Sequence, residues 1–173
     1  MAKVFSIVSE LNPKFSVTGV LVAAGAVGTI GAGTPTKSAD AYSTNTGAAV
    51  PMVDADGTTA QNFFGIAKSN STDTVAAAGS VDIWMPLPGV VYKGFAKTAS
   101  LIDTAAELQA LFHKAVLFDL TSTDWTVDTN TNAATGADSK VNCVVIIGGD
   151  ITAGTVNFIY STKGTYLNYC VSA

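Results

Sequence analysis

The sequence predicts a mainly β chain: a compact β-barrel or sandwich with one α-helix packed on its side and an extended N-terminal arm. Three observations predict it. Short runs of β-branched and aromatic residues are separated by clusters of Gly, Pro, Asp and Asn, the pattern of strands and turns. One segment alone repeats its apolar residues at helical spacing. Charged residues make up 13% of the chain and hydrophobic ones 48%, with Gly, Ala, Ser and Thr filling much of the rest, which is the composition of a folded β protein and not of a disordered one. At 173 residues and 17.6 kDa the chain fits one domain. Folding at this mass buries roughly 69% of the surface, so the core needs no metal or disulfide to hold it.

The elements follow in order. Residues 4–8 form a short β-branched run that Asn12-Pro13 breaks, and residues 15–24 form a second extended piece; together with the Gly-rich stretch behind them they read as an arm spanning residues 1–35. Residues 36–173 form the β-rich domain. Loops dominate residues 31–73, interrupted by runs at 48–53 and 63–67. Val81, Ile83 and Met85 alternate with Asp82 and Trp84, which marks a half-buried strand, and Pro86-Leu87-Pro88-Gly89 ends it. Residues 90–95 resume as a strand.

The helix is expected over about 104–117. Thr104 and Glu107 have the spacing of a capping box, in which hydroxyl and carboxylate reciprocally satisfy backbone donors. Ala105, Leu108, Leu111, Phe112 and Ala115 then form an apolar stripe that must pack on something apolar. Strand-like runs follow at 116–120, 125–127, 141–147, 155–161 and 165–171, the last two reading as a hairpin across a Gly turn.

Composition also limits function. All nine basic residues are lysines, so the guanidinium fork that clamps phosphates and carboxylates is missing. A net charge of −4 and a pI near 4.7 repel nucleic-acid backbones. Residues 15–36 carry no charge between Lys14 and Lys37, yet five glycines and Thr34-Pro35 make them a strand and loop, not a membrane span. Glu10, Asn12 and Pro13 interrupt any signal-peptide pattern.

The motifs that carry chemistry are few. Asp54-Ala55-Asp56-Gly57 lacks the third oxygen ligand and the closing glutamate of a calcium loop and reads as a turn. The glycines between Gly25 and Gly33 lack the dinucleotide order. His113 stands with Cys143 and Cys170 as the stock for a nucleophilic dyad, but no motif local to either cysteine supports one. A helical histidine satisfied locally and two buried thiols are the preferred readings, with a disulfide the alternative in an oxidising compartment. Trp84, Trp125, Tyr92, Tyr160, Tyr166 and Tyr169 read as core or subunit-contact aromatics before they read as a ligand platform. No catalytic, metal or cofactor-binding residue is assigned.

The phrases Gly33-Thr34-Pro35, Ala49-Val50-Pro51, Asp56-Gly57, Phe64-Gly65-Ile66-Ala67, Ala78-Gly79-Ser80-Val81 and Pro88-Gly89-Val90-Val91-Tyr92 follow one another over residues 33–95. This third of the chain resembles the small capsid decoration, or cement, proteins of tailed bacteriophages. The resemblance implies a compact β-barrel that catalyses nothing and stabilises the outside of an icosahedral shell. It implies the major capsid protein as partner, a homo-oligomer such as a trimer, no nucleic acid, no membrane and no cofactor, and a place on the virion exterior after assembly in the host cytoplasm. The arm is the expected interface, through Val4, Phe5, Ile7, Val8, Phe15 and Val17, because an extended segment can add a strand to an exposed sheet edge. The alternative is a carbohydrate-binding or adhesive β-domain on a virion or bacterial surface, motivated by the Thr/Ser/Asn-rich loops.

Overall fold

A computed structural model describes residues 3, 5–10, 16–25, 30–38, 48–53, 63–87, 90–130 and 144–160. Among the described residues the elements run β1 (Ser6–Glu10), β2 (Ser16–Val22), β3 (Pro35–Ser38), β4 (Ala49–Pro51), β5 (Phe63–Ala67), β6 (Gly79–Trp84), β7 (Val90–Phe95), α1 (Ala105–Ala110), β8 (Ala115–Thr121), β9 (Asp124–Asp128), β10 (Val144–Asp150) and β11 (Thr155–Tyr160). Strands dominate the described residues and helix is a minor part, so the fold is mainly β as the turn spacing predicts.

The strands form two antiparallel sheets, a six-stranded one in the order β1-β7-β11-β10-β8-β9 and a five-stranded one in the order β2-β6-β5-β3-β4. The larger sheet curls until its two ends meet. Trp125 N–H in β9 donates to the carbonyl of Lys3 just before β1 at 3.2 Å, and Lys97 N–H after β7 donates to the carbonyl of Val127 at 2.8 Å. Backbone groups that would form an exposed edge are thereby paired. Within the curl, Phe5, Tyr92, Phe118, Trp125, Phe158 and Tyr160 fill the core together with Val116, Val127, Val144, Ile146 and Val156.

The smaller sheet curls as well, bringing its edge strands β2 and β4 into contact around Val20, Val22, Ile30, Ala49, Ala67, Val81 and Ile83. Strand periodicity sends neighbouring side chains to opposite faces. Ala67 and Ile83 therefore point into this second core, while the adjacent Ile66 and Trp84 pack against the first. β5 and β6 thus lend side chains to both cores, and the Tyr92 hydroxyl ties the sheets together by donating to the carbonyl of Met85 at 2.8 Å.

Three expectations are corrected. The N-terminal 35 residues are not an arm detached from the domain: β1 pairs with β7, β2 with β6 and β3 with β5, so residues 1–35 supply strands to both sheets. Phe5 is 3% exposed, its ring centroid 4.6 Å from that of Phe118 and 5.4 Å from that of Phe158, the latter edge to face. Gly94 on β7 makes the room, since a Cβ there would lie 2.5 Å from the Phe5 ring.

The helix, second, ends at Ala110 and not near residue 117. His113 turns the chain with φ +63°, and Lys114 and Ala115 then join the strand pairing: His113 N–H donates to the carbonyl of Ile146 and Ile146 N–H to that of Lys114. The β-branched and aromatic run beginning at Val116 prefers a strand, and β10 offers it a ladder. Phe112 falls off the buried stripe and is exposed. Third, β3 forms within a stretch expected to be loop, because Pro35–Ser38 lies between β4 and β5 and gains ladders on both sides. A hairpin joins β10 and β11, while the expected strand at 165–171 lies outside the described residues.

Candidate interaction surfaces

The residues expected at an interface separate into two environments. Phe5 is in the core. Val4 and Phe15 lie outside the described residues, and of Ile7 and Val8 the backbone course alone is described: Ile7 pairs opposite Tyr92, and the register shifts between Ile7 and Ser9. Of the two whose side chains are described, Val17 reaches solvent, 42% exposed on β2.

Val17 lies beside an irregularity of β2. The β2–β6 register shifts between Val17 and Val20, and Gly19 occupies the bulge with φ +67°, where a side chain would be strained. Its N–H donates to Asp82 Oδ1 at 3.0 Å, so the carboxylate satisfies a donor that the bulge removes from the ladder. Beyond the bulge Val20 and Val22 turn inward while Leu21, 50% exposed, turns out.

At the end of β2 the chain meets the loop before β6. Gly25 N–H donates to the carbonyl of Thr74 at 3.1 Å, and Thr74 and Ala77 exchange backbone hydrogen bonds in a tight turn that the Thr74 hydroxyl reinforces by accepting from Ala77 N–H. The turn projects Val75 to 93% exposure. Ala23, Ala24, Ala76, Ala77 and Ala78 around it are exposed too. This end of the five-stranded sheet exposes several aliphatic groups, with Asp73 half-buried in the same loop, and fully burying a valine or leucine is worth roughly 1.5–3 kcal/mol.

A second apolar feature is a shallow groove of about 520 Å³ between α1 and the β10–β11 turn, with Leu108 at its base and the exposed Phe112 and Ile151 on its sides. The capping box forms as expected: Glu107 N–H donates to Thr104 Oγ1 at 3.2 Å and Thr104 N–H to Glu107 Oε2 at 3.1 Å. The Thr104 hydroxyl, then Asp103, hold the Glu107 carboxyl below its ordinary range, and hydrogen bonding to Glu107 raises that of Asp103.

The charged side chains brought together are structural. Lys97 Nζ lies 2.7 Å from Asp119 Oδ1 and 3.4 Å from Asp128 Oδ2, joining the segment after β7 to the β8–β9 hairpin across the closure of the large sheet. The hydrogen bond to Asp119 raises the ammonium pKa. Among the described residues no group of three or more His, Cys, Asp or Glu side chains is placed to hold a metal ion. His113 is exposed at the turn after α1; Cys143, Cys170, Asp54, Asp56, Tyr166 and Tyr169 lie outside the described residues. Trp125, Tyr92 and Tyr160 are core side chains, and Trp84 is partly buried with the Lys68 ammonium 4.8 Å from its ring centroid. No helix among the described residues is long and apolar enough to cross a membrane.

Leu21 and Val75 were not expected at an interface. Leu21 sits inside an apolar run without a distinguishing mark, and Val75 is a lone valine in a loop; the placed strand separates Leu21 from Val20 and Val22 by alternation, and the Thr74–Ala77 turn exposes Val75. The chain matches no protein-family model, and no curated protein and no solved structure is significantly similar to it.

Proposed function

We propose that this chain is a structural virion protein that decorates and stabilises the outer surface of an icosahedral phage capsid, binding the major capsid protein as a homo-oligomer. The observation that carries the reading is the exposed aliphatic side chains at one end of the five-stranded sheet, Leu21, Val75 and the alanines around Val75. A decoration protein has to bury surface on a symmetric shell, and clustered exposed apolar groups mark such contacts. The resemblance over residues 33–95 supports the same reading, since it spans β3 to β7 and includes the loop that presents Val75.

The contact relies on apolar burial and neutral hydrogen bonds. Salt screens exposed ion pairs beyond a Debye length of about 10 Å at 0.1 M but leaves apolar burial intact or strengthens it. Cosedimentation of the protein with purified shells of its phage tests the proposal, with sodium chloride varied from about 50 mM to about 1 M. Saturable binding that changes little with salt is expected. No binding to any shell form overturns the proposal, and a steep loss with salt replaces apolar docking by electrostatic complementarity.

A further inference from the structure

The outward face of the six-stranded sheet brings together side chains that neither the core nor the aliphatic surface uses. In register, Ser6 on β1 stands opposite Lys93 on β7, Lys93 opposite Asn157 on β11, and Phe95 opposite Thr155. Cross-strand partners share a face. Lys93 and Phe95 alternate along β7 with the buried Tyr92, Gly94 and Ala96 and so project away from the aromatic core. Ser6, Lys93, Phe95 and Thr155, with Gly94 and Ala153, line a partly enclosed pocket of about 280 Å³. The Lys3 ammonium lies at the same place, 5.6 Å from the centroid of the Phe95 ring.

Two features of this pocket lack an explanation within the fold. Thr155 is 2% exposed, and its Oγ1 has no hydrogen-bond partner. A hydroxyl buried in that state costs free energy that a ligand oxygen can recover. Lys93 makes no ion pair among the described residues, in a chain of net charge −4 where carboxylates outnumber ammonium groups. The carboxylate opposite Thr155 in register is Asp150, whose Oδ1 accepts the N–H groups of Thr152 at 2.9 Å and Ala153 at 3.0 Å and is tied to the turn.

We propose that the pocket binds a small oxyanion, a carboxylate or a phosphate group, with Lys93 as the charge partner and the Ser6 and Thr155 hydroxyls as donors. The ammonium supplies a point charge and the two hydroxyls supply direction, so no guanidinium is required. Lys3 adds a second positive charge at the rim. The Phe95 ring and Ala153 form an apolar wall that suits the short hydrocarbon of an organic acid. The volume falls just below the range of drug-sized sites, roughly 300–1,000 Å³, and matches a ligand of a few carbons.

The test is a titration of the intact protein with acetate, succinate and inorganic phosphate at constant ionic strength, followed by the backbone amide resonances of Gly94, Phe95 and Thr155, with chloride as the control. Saturable shifts at these amides are expected. Saturation by acetate and succinate identifies a carboxylate site, and saturation by phosphate alone a phosphate site. Lys93→Gln is expected to weaken binding by about tenfold or more, as the loss of a hydrogen bond to a charged group does. Thr155→Val is expected to weaken binding while raising the melting temperature of the ligand-free protein, a pairing that a purely structural threonine would not produce. Shifts that do not saturate, or that equal those in chloride, overturn the proposal, as does full binding by Lys93→Gln. The capsid proposal stands or falls separately, because the readout needs no shell.

Discussion

β1 and β2 begin as near twins, short apolar strands within the first 22 residues, and the fold uses them in opposite ways. The segment entering β1 places Phe5 among Phe118 and Phe158 at the centre of the aromatic core. β2 places Val20 and Val22 in a second core and turns Val17 and Leu21 to solvent. Apolar character alone does not separate a core strand from an interface strand. Long-range fit does: Gly94 opens space for the Phe5 ring, while alternation along β2 sends Val20 and Val22 into a core and leaves Leu21 outside.

The sharpest way to break this contrast is Phe5→Ala, which is expected to destabilise the protein by about 3–5 kcal/mol because it empties a site walled by other rings. Urea unfolding followed by tryptophan fluorescence reads it, and a loss below about 1 kcal/mol would mean that Phe5 is not a core residue. Deleting the residues up to Pro13 is expected to unfold the domain by the same logic. Gly94→Ala attacks the same contact from the other side. Its Cβ meets the ring, and overpacking of this kind costs about 1–3 kcal/mol.

Alkaline pH probes the same core without mutation. Burial raises the Tyr160 phenol well above its ordinary pKa, so the folded state keeps a proton that the unfolded state releases. Stability is therefore unaffected by this group below about pH 10 and falls as pH rises further, by up to about 1.4 kcal/mol per pH unit. Unfolding midpoints measured between pH 8 and pH 11 check this (about one unit either side of the phenol's ordinary value), and Tyr160→Phe is expected to flatten the decline.

Outside both cores, Thr104→Ala removes the hydroxyl that accepts from Glu107 N–H, for an expected loss of about 1 kcal/mol. A helix of six residues has too few internal hydrogen bonds to stand alone, so local hydrogen exchange in α1 should accelerate more than elsewhere. The smallest effect on stability is expected at the other pole of the comparison. Leu21→Ser and Val75→Ser should change unfolding free energy by no more than about 0.5 kcal/mol. Together they should nonetheless reduce shell occupancy by an order of magnitude or more, since about 1.4 kcal/mol is a factor of ten and two buried aliphatic groups exceed that. Unchanged occupancy in the double variant would remove the aliphatic end from the proposed contact.

Much of this molecule is legible in its residues. The strands at Phe63–Ala67 and Val90–Phe95 coincide with the runs that predict them, the alternation of Val81 and Ile83 with Asp82 and Trp84 matches their burial, and the capping box of Thr104 and Glu107 forms with both hydrogen bonds. These features are local: hydrophobic period, turn residues and side-chain-to-backbone bonds act over a few positions. Tertiary structure decided the rest. It shortened the helix, because Lys114 and Ala115 gain pairing with β10, and it made a strand of Pro35–Ser38 by offering ladders on both sides. It drew the expected arm into both sheets and chose which of its apolar side chains to bury. Such choices depend on partners distant in sequence, Phe5 on Phe118 and Phe158, Gly19 on Asp82, and the free energy of those contacts exists only once the chain has brought them together.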